Sequence, residues 1–176
     1  MAIAKRRDAG GVESPTKRKP HAEKGPAMNT EHAAAAPTRS LARLEALAIR
    51  QGLSMGVLAS SSPADFTLVM AAAGSSFGPA ETLSEHQVNE RIKAFLEGAG
   101  AMLAVDHVEL RRWLVDNGVL ARDGFGRAYT RGAPRDEIAL AMKELAGFDV
   151  AKTVAEARER DASRRVERKR AWQASQ

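Results

Sequence analysis

The sequence of 176 residues contains no cysteine, which excludes disulfide bonds, cysteine zinc sites and thiol catalysis. Aromatic residues make up only 5% of a chain that is 44% hydrophobic, and alanine supplies much of the apolar share, so we expect a small, helical core. The longest apolar run, Phe66 to Ala73, is too short to span a bilayer, and the first residues lack the apolar stretch of a secretory signal. These features favour a cytoplasmic protein that has no membrane segment.

Positive charge is concentrated towards the ends of the chain. The formal net charge is +5, and residues 1–24 alone carry seven basic and three acidic side chains. In contrast, residues 63–131 carry seven basic and nine acidic side chains. A basic excess is typical of proteins that bind nucleic acid, but here it lies mostly outside the best-defined segment.

Composition and periodicity divide the chain into four parts. Residues 1–37 are rich in Gly, Pro, Ala and charge without apolar periodicity, which predicts a disordered basic tail. Residues 38–62 are predicted to form a helix and a loop, and residues 63–133 a winged-helix-like domain. Residues 134–176 are predicted to form C-terminal helices.

The first predicted helix runs from Ser40 to Gln51, with apolar residues on one face and Gly52 as its stop. Residues 52–62, GLSMGVLASSS, are predicted to form a loop because Gly and Ser dominate them. A second helix is predicted from Ser62, with Pro63 at its first position.

Two further helices have clear start signals. Ser84 with Gln87, and Asp106 with Glu109, have the spacing of capping boxes. The second of these helices ends at Gly118, and its apolar spacing predicts an inward stripe of Leu110, Trp113, Leu114 and Asn117.

Residues 119–130, VLARDGFGRAYT, predict a β-hairpin, because glycines near Asp123 suit a turn that needs positive φ. Apolar spacing then predicts one helix from Pro134 to Leu145 and another from Asp149 to Gln173. The predicted fold class is therefore mostly α: a winged-helix-like domain with one small β-hairpin, flanked by helices and a disordered N-terminal tail.

The segment from Leu83 to Arg131 resembles a bacterial family of small helical domains of unknown function. The matching pieces are LSEHQVNERI, Phe95, LRRWLVDNGVL, RDG and AYTR. Domains of that family occur alone or fused to helix-turn-helix transcription regulators of the arsenical-resistance type. The resemblance implies a winged-helix-like module associated with transcriptional control, and it implies no established activity.

A helix that reads DNA presents polar and basic side chains opposite its buried stripe. At about 100° per residue, Arg112 lies opposite the stripe and Arg111 on one flank, while Glu109 and Asp116 lie on the other flank. We therefore predict DNA contacts from both arginines, from the hairpin and from the two basic tails. The further candidates are Arg122, Arg127, Arg131, Lys5, Arg6, Arg7, Arg164 and Arg165.

A protein-interaction or dimerisation module of the same shape is the alternative. Val108 and Val115 lie beside Arg112 on the outward face and would form an apolar contact with a partner or a second copy. No motif predicts a metal site, a cofactor or a small-molecule substrate: the nearest candidates, His86 with Glu90, lack further ligands at a suitable spacing. We therefore expect no enzymatic activity.

Overall fold

The computed structural model describes residues 39–176, all of which lie within one compact unit. Within this range the chain forms seven helices and one small three-stranded antiparallel sheet, which confirms the predicted mostly helical class. The predicted tail, residues 1–37, lies outside the described residues. The elements in chain order are α1 (Arg39–Ala48), α2 (Met55–Ser61), α3 (Pro63–Gly74), β1 (Thr82–Ser84), α4 (Glu85–Glu97), α5 (His107–Asp116), β2 (Leu120–Arg122), β3 (Ala128–Arg131), α6 (Asp136–Leu145) and α7 (Val150–Ala174).

α3 lies at the centre of the core. Its residues from Leu68 to Gly74 are all buried, as expected of a helix that is apolar on every side. α6 packs closely against it, and α1 and α2 also contact it. The first turn of α3 is joined to α1 by an ion pair between the buried Asp65 carboxylate and the Arg43 guanidinium. Pro63 begins the helix as predicted, but the Ser62 side chain makes no capping hydrogen bond.

The predicted loop over residues 52–62 is wrong in part, because residues 55–61 form α2. Met55 and Leu58 are three residues apart, so both side chains point into the core, where they are buried. Burial of this pair outweighs the poor helix propensity of the Gly and Ser residues around it. α1 also ends earlier than predicted, at Ala48, and Gly52 adopts a φ of +70° four residues beyond that end.

The sheet has one strand more than the predicted hairpin. β2 and β3 pair as predicted, and β1 pairs with the other edge of β3, so that Leu83 lies opposite Tyr129. Both of these side chains are buried. β1 is only three residues long and pairs with residues more than 40 positions away, so no local pattern in the sequence predicts it.

The backbone of the turn between α5 and β2 closely approaches the backbone of the link between β3 and α6. A Cβ atom added at Gly132 would lie 2.3 Å from the Gly118 carbonyl oxygen, and Gly118 itself has a φ of +72°. Both positions therefore require glycine. α6 begins at Asp136, two residues later than predicted, because Pro134 belongs to the link between β3 and α6.

Candidate nucleic-acid interface

The apolar side of α5 is packed into the body of the protein. The Asp106 carboxylate accepts a backbone N–H of the first turn at 2.7 Å, so the predicted cap is present. Leu110 and Leu114 are fully buried. The half-buried Trp113 ring meets Phe66 edge-on, with the ring centroids 5.4 Å apart. These contacts confirm the predicted inward stripe and leave the opposite side of α5 facing solvent.

Arg112 and Val108 lie on this solvent-facing side. The Arg112 side chain is exposed and makes no hydrogen bond or ion pair with any residue between 39 and 176. Val108 is 46% exposed. Val115 is half-buried against the core, so only one of the two predicted interface valines is open to solvent. The acidic side chains of Glu109 and Asp116 are exposed on the same helix.

Arg111 is bound within the protein. Its guanidinium donates hydrogen bonds to the Glu85 carboxylate at 2.8 Å and to the Asn89 side-chain oxygen at 2.5 Å. It also lies 6.0 Å from the centre of the Tyr129 ring, within the range of a cation–π contact. Its side chain is only 17% exposed. Arg111 therefore joins α5 to α4 and to the sheet.

The hairpin turn between β2 and β3 is ordered by Asp123. The Asp123 carboxylate accepts the Arg127 backbone N–H at 2.7 Å, and the Asp123 carbonyl accepts the Gly126 N–H at 3.1 Å. Reduced solvation acts to raise the pKa of Asp123, but hydrogen bonds from the backbone N–H groups of residues 125–128 outweigh it, and the pKa is lowered. Gly126 takes the positive φ, +71°, that the sequence predicts for this turn.

The three hairpin arginines differ in their surroundings. Arg122 and Arg127 are exposed, and the Arg127 guanidinium lies 5.0 Å from the centre of the Phe125 ring. Phe125 is itself 81% exposed. Arg131 is half-buried and donates a hydrogen bond to the Phe77 carbonyl at 3.1 Å. The hairpin therefore presents two cations and one aromatic ring to solvent, while its third arginine faces the body.

Of the predicted basic tails, only the C-terminal one is described. Arg164 and Arg165 are exposed on the second half of α7, and Arg165 forms an ion pair with Asp161 at 2.6 Å. Lys5, Arg6 and Arg7 lie outside the described residues.

Sequence reasoning missed the side-chain pairings that join the elements. Glu85 and Asn89 bind Arg111 across more than 20 positions, and Asn117 accepts a hydrogen bond from Arg135 on the far side of the hairpin. Only the exposure of Phe125 could have been predicted from the sequence, because this residue lies at the tip of a predicted hairpin, where side chains are rarely buried.

Neither a metal site nor a membrane span is found in the described part of the chain. Among residues 39–176, no three His, Asp or Glu side chains lie close enough together to share a metal ion. None of the helices described here is both long and apolar enough to cross a membrane.

The elements from α3 to β3 define a small helical domain with a three-stranded sheet. Residues 60–131, which include all of these elements, match the model of a family described as "Uncharacterized protein conserved in bacteria (DUF2087)". This match confirms the predicted resemblance to a bacterial family of unknown function. No curated protein and no solved structure matches the chain.

Proposed function

We propose that this protein binds double-stranded DNA through α5 and the β2–β3 hairpin. The observation that carries the proposal is the order α3–β1–α4–α5–β2–β3, in which β1 completes a sheet with the hairpin. This is the order of elements in winged-helix domains. There the last helix before the hairpin enters the major groove and the hairpin, or wing, lies against the backbone.

The exposed cations of this unit have the positions that such a mode of binding needs. Arg112 lies on the solvent-facing side of α5, where a guanidinium can donate two hydrogen bonds to a guanine edge. Arg122 and Arg127 lie on the exposed hairpin, where they can contact phosphates. Arg111 and Arg131 are bound inside the protein, so we assign them to the positioning of α5 and the sheet. Lys5, Arg6 and Arg7 would add affinity that does not depend on base sequence.

The resemblance to domains that are fused to arsenical-resistance-type regulators supports a role in transcriptional control. The resemblance implies that such units occur beside transcription regulators, and no residue of this chain implies which process would be regulated. In a bacterial cell this function would place the protein in the cytoplasm, together with the chromosome.

Fluorescence anisotropy of a labelled DNA duplex, titrated with the full-length protein at several salt concentrations, tests the proposal. The double variant Arg112→Gln, Arg127→Gln should weaken binding about tenfold or more, because it removes a base contact and a phosphate contact. The dependence of log affinity on log salt should become shallower by about one.

A matched control removes the same charge elsewhere. Arg39 and Lys143 are exposed and form no ion pair with the described residues, so Arg39→Gln, Lys143→Gln should bind DNA nearly as tightly as the wild type. Equal losses in both double variants would show that net charge alone matters, and the proposal would fail. A wild type that does not bind duplex even at low salt would also exclude it.

The exposed Val108 and Phe125 favour a second candidate, in which the same surface binds a protein partner or a second copy. Under that hypothesis Val108→Asp abolishes an association that is seen in analytical ultracentrifugation and leaves DNA affinity low and unchanged. Under the DNA-binding proposal the protein's sedimentation does not depend on Val108.

A further inference from the structure

The last part of α7 forms a basic surface that is separate from the hairpin and α5. We define the α7 arm as residues 162–176, all of which are exposed. Glu167 is its single acidic residue, and its five basic residues are Arg164, Arg165, Arg168, Lys169 and Arg170. The helical part of the arm, residues 162–174, is about 20 Å long at 1.5 Å per residue.

The first half of α7 fixes this arm to the body. Its buried side chains pack against α1, and the Arg158 guanidinium donates hydrogen bonds to three backbone carbonyls. These are Ala48 at 3.0 Å, Gly98 at 2.7 Å and Ala99 at 3.4 Å. Carbonyls at the ends of α1 and α4 carry partial negative charge, which a cation stabilises, while burial lowers the pKa of Arg158. Arg158 therefore joins α7 to α4, an element of the unit that we propose binds DNA.

The arm leaves the body beside the link that leads into α5. Ala162 and Arg165 line a groove of about 340 Å³ together with Ala101 and Met102, which lie in the α4–α5 link. In helix-turn-helix arrangements the start of the reading helix contacts the base edges, and this link leads to the start of α5. The arm thus begins beside the segment that leads into the helix that we propose enters the major groove.

The charge and the apolar pattern of the arm favour a polyanion as its partner. Its large exposed apolar side chains, Val166 and Trp172, are six residues apart, which is about one and two-thirds turns and puts them on different sides of the helix. The arm therefore lacks the continuous apolar face that a membrane-bound helix needs. A second arm would be repelled, since both carry an excess of positive charge. A row of phosphates is complementary to cations that are distributed around a helix.

We propose that the α7 arm binds the phosphate backbone of the same DNA duplex that α5 contacts. This proposal rests on the proposed function, and it adds a second contact whose direction is set by Arg158. Since the arm contributes phosphate contacts alone, it raises affinity equally for all base sequences.

The test uses the full-length protein and a labelled duplex that is long enough to extend beyond the α5 site. Arg168→Gln, Lys169→Gln, Arg170→Gln removes three cations that form no ion pair with the described residues. The slope of log affinity against log salt should become shallower by about two to three, at roughly 0.9 per lost phosphate contact. Affinity at low salt should fall at least about tenfold. The matched control is Arg39→Gln, Lys143→Gln, Lys152→Gln, which removes three exposed cations from the rest of the body, of which only Lys152 has an ionic partner, Glu156 at 3.9 Å; it should leave the slope unchanged.

Arg158→Gln separates positioning from charge, because it leaves every cation of the arm in place. We expect it to make the slope shallower in the same direction as the arm variant, while circular dichroism shows that helix content is retained. A slope equal to that of the wild type in this variant would show that the arm needs no anchoring at Arg158.

The outcomes distinguish this proposal from the proposed function. If the arm variant binds like the wild type while Arg112→Gln, Arg127→Gln is impaired, the arm proposal fails and the proposed function stands. If only the arm variant is impaired, the arm carries DNA binding by itself and the proposed function fails. Binding to phosphatidylserine-containing vesicles that the arm variant abolishes, with duplex affinity unchanged, would assign the arm to a membrane and overturn the proposal.

Discussion

Arg111 and Arg112 are neighbours in the chain but have different roles in the structure. Arg111 donates to Glu85 and Asn89 and lies near the Tyr129 ring, whereas Arg112 extends into solvent. A turn of 100° separates them on the helix, and this is enough to place one guanidinium against α4 and the other outside. Charge alone therefore does not identify which arginine is available to a ligand.

This difference predicts that the same substitution has unequal effects on stability at the two positions. Arg111→Gln should lower the free energy of unfolding by about 1–3 kcal/mol, because it breaks hydrogen bonds of a charged donor that is mostly shielded from solvent. Arg112→Gln should change it by less than about 0.5 kcal/mol, as is usual for an exposed side chain. Urea denaturation of the two variants measures both values. Equal stability of the two variants would contradict the assignment of Arg111 to positioning.

The inward residues of α5 could be predicted because their spacing repeats with the helix, and the structure confirms Leu110, Leu114 and Asn117 as buried. The partners of Arg111 could not be predicted, since Glu85 and Asn89 belong to another helix and nothing local marks them. Val115 was also not predicted correctly: it is opposite the buried stripe by spacing, yet its side chain is half-buried against the core.

At the scale of elements, the sequence predicts most clearly the helices that begin with capping residues. Ser84 and Gln87 form the predicted reciprocal capping box of α4, and Asp106 caps α5. α2 lacks such a signal and is stabilised by burial, and β1 depends on a distant strand. Neither α2 nor β1 could be predicted from the sequence, because the stability of each comes from tertiary contacts.

The close approach between the α5–β2 turn and the link that follows β3 gives a prediction about glycine. Gly132→Ala should destabilise the protein by about 1–3 kcal/mol, since the new Cβ would lie 2.3 Å from the Gly118 carbonyl oxygen and the backbone must move. Gly124→Ala, in the turn between β2 and β3, is the control: a Cβ there has no atom within 4 Å, so stability should be nearly unchanged. Thermal unfolding followed by circular dichroism compares the two. A Gly132→Ala variant as stable as the wild type would mean that the backbones at Gly118 and Gly132 are not tightly packed against each other.

At the scale of the whole molecule, charge is distributed unevenly. Residues 39–160 carry 15 basic and 16 acidic side chains, and residues 161–176 carry five basic and two acidic ones. The body is thus nearly neutral, and its DNA affinity would depend on a few well-placed cations and on the basic ends. This imbalance could be read from the sequence, but the anchoring of α7 by Arg158 could not, because its three acceptors lie about 60 and 110 positions away.

The most direct test of the central claim locates the contact surface on the protein itself. In two-dimensional amide NMR spectra of the isotope-labelled full-length protein, added duplex should shift the resonances of residues 108–116 and 122–127. The resonances of residues 39–43 in α1, a helix whose main contacts are with α3, α6 and α7, should remain in place. Shifts confined to α6 or to the N-terminal residues, with α5 and the hairpin unaffected by saturating duplex, would contradict the account.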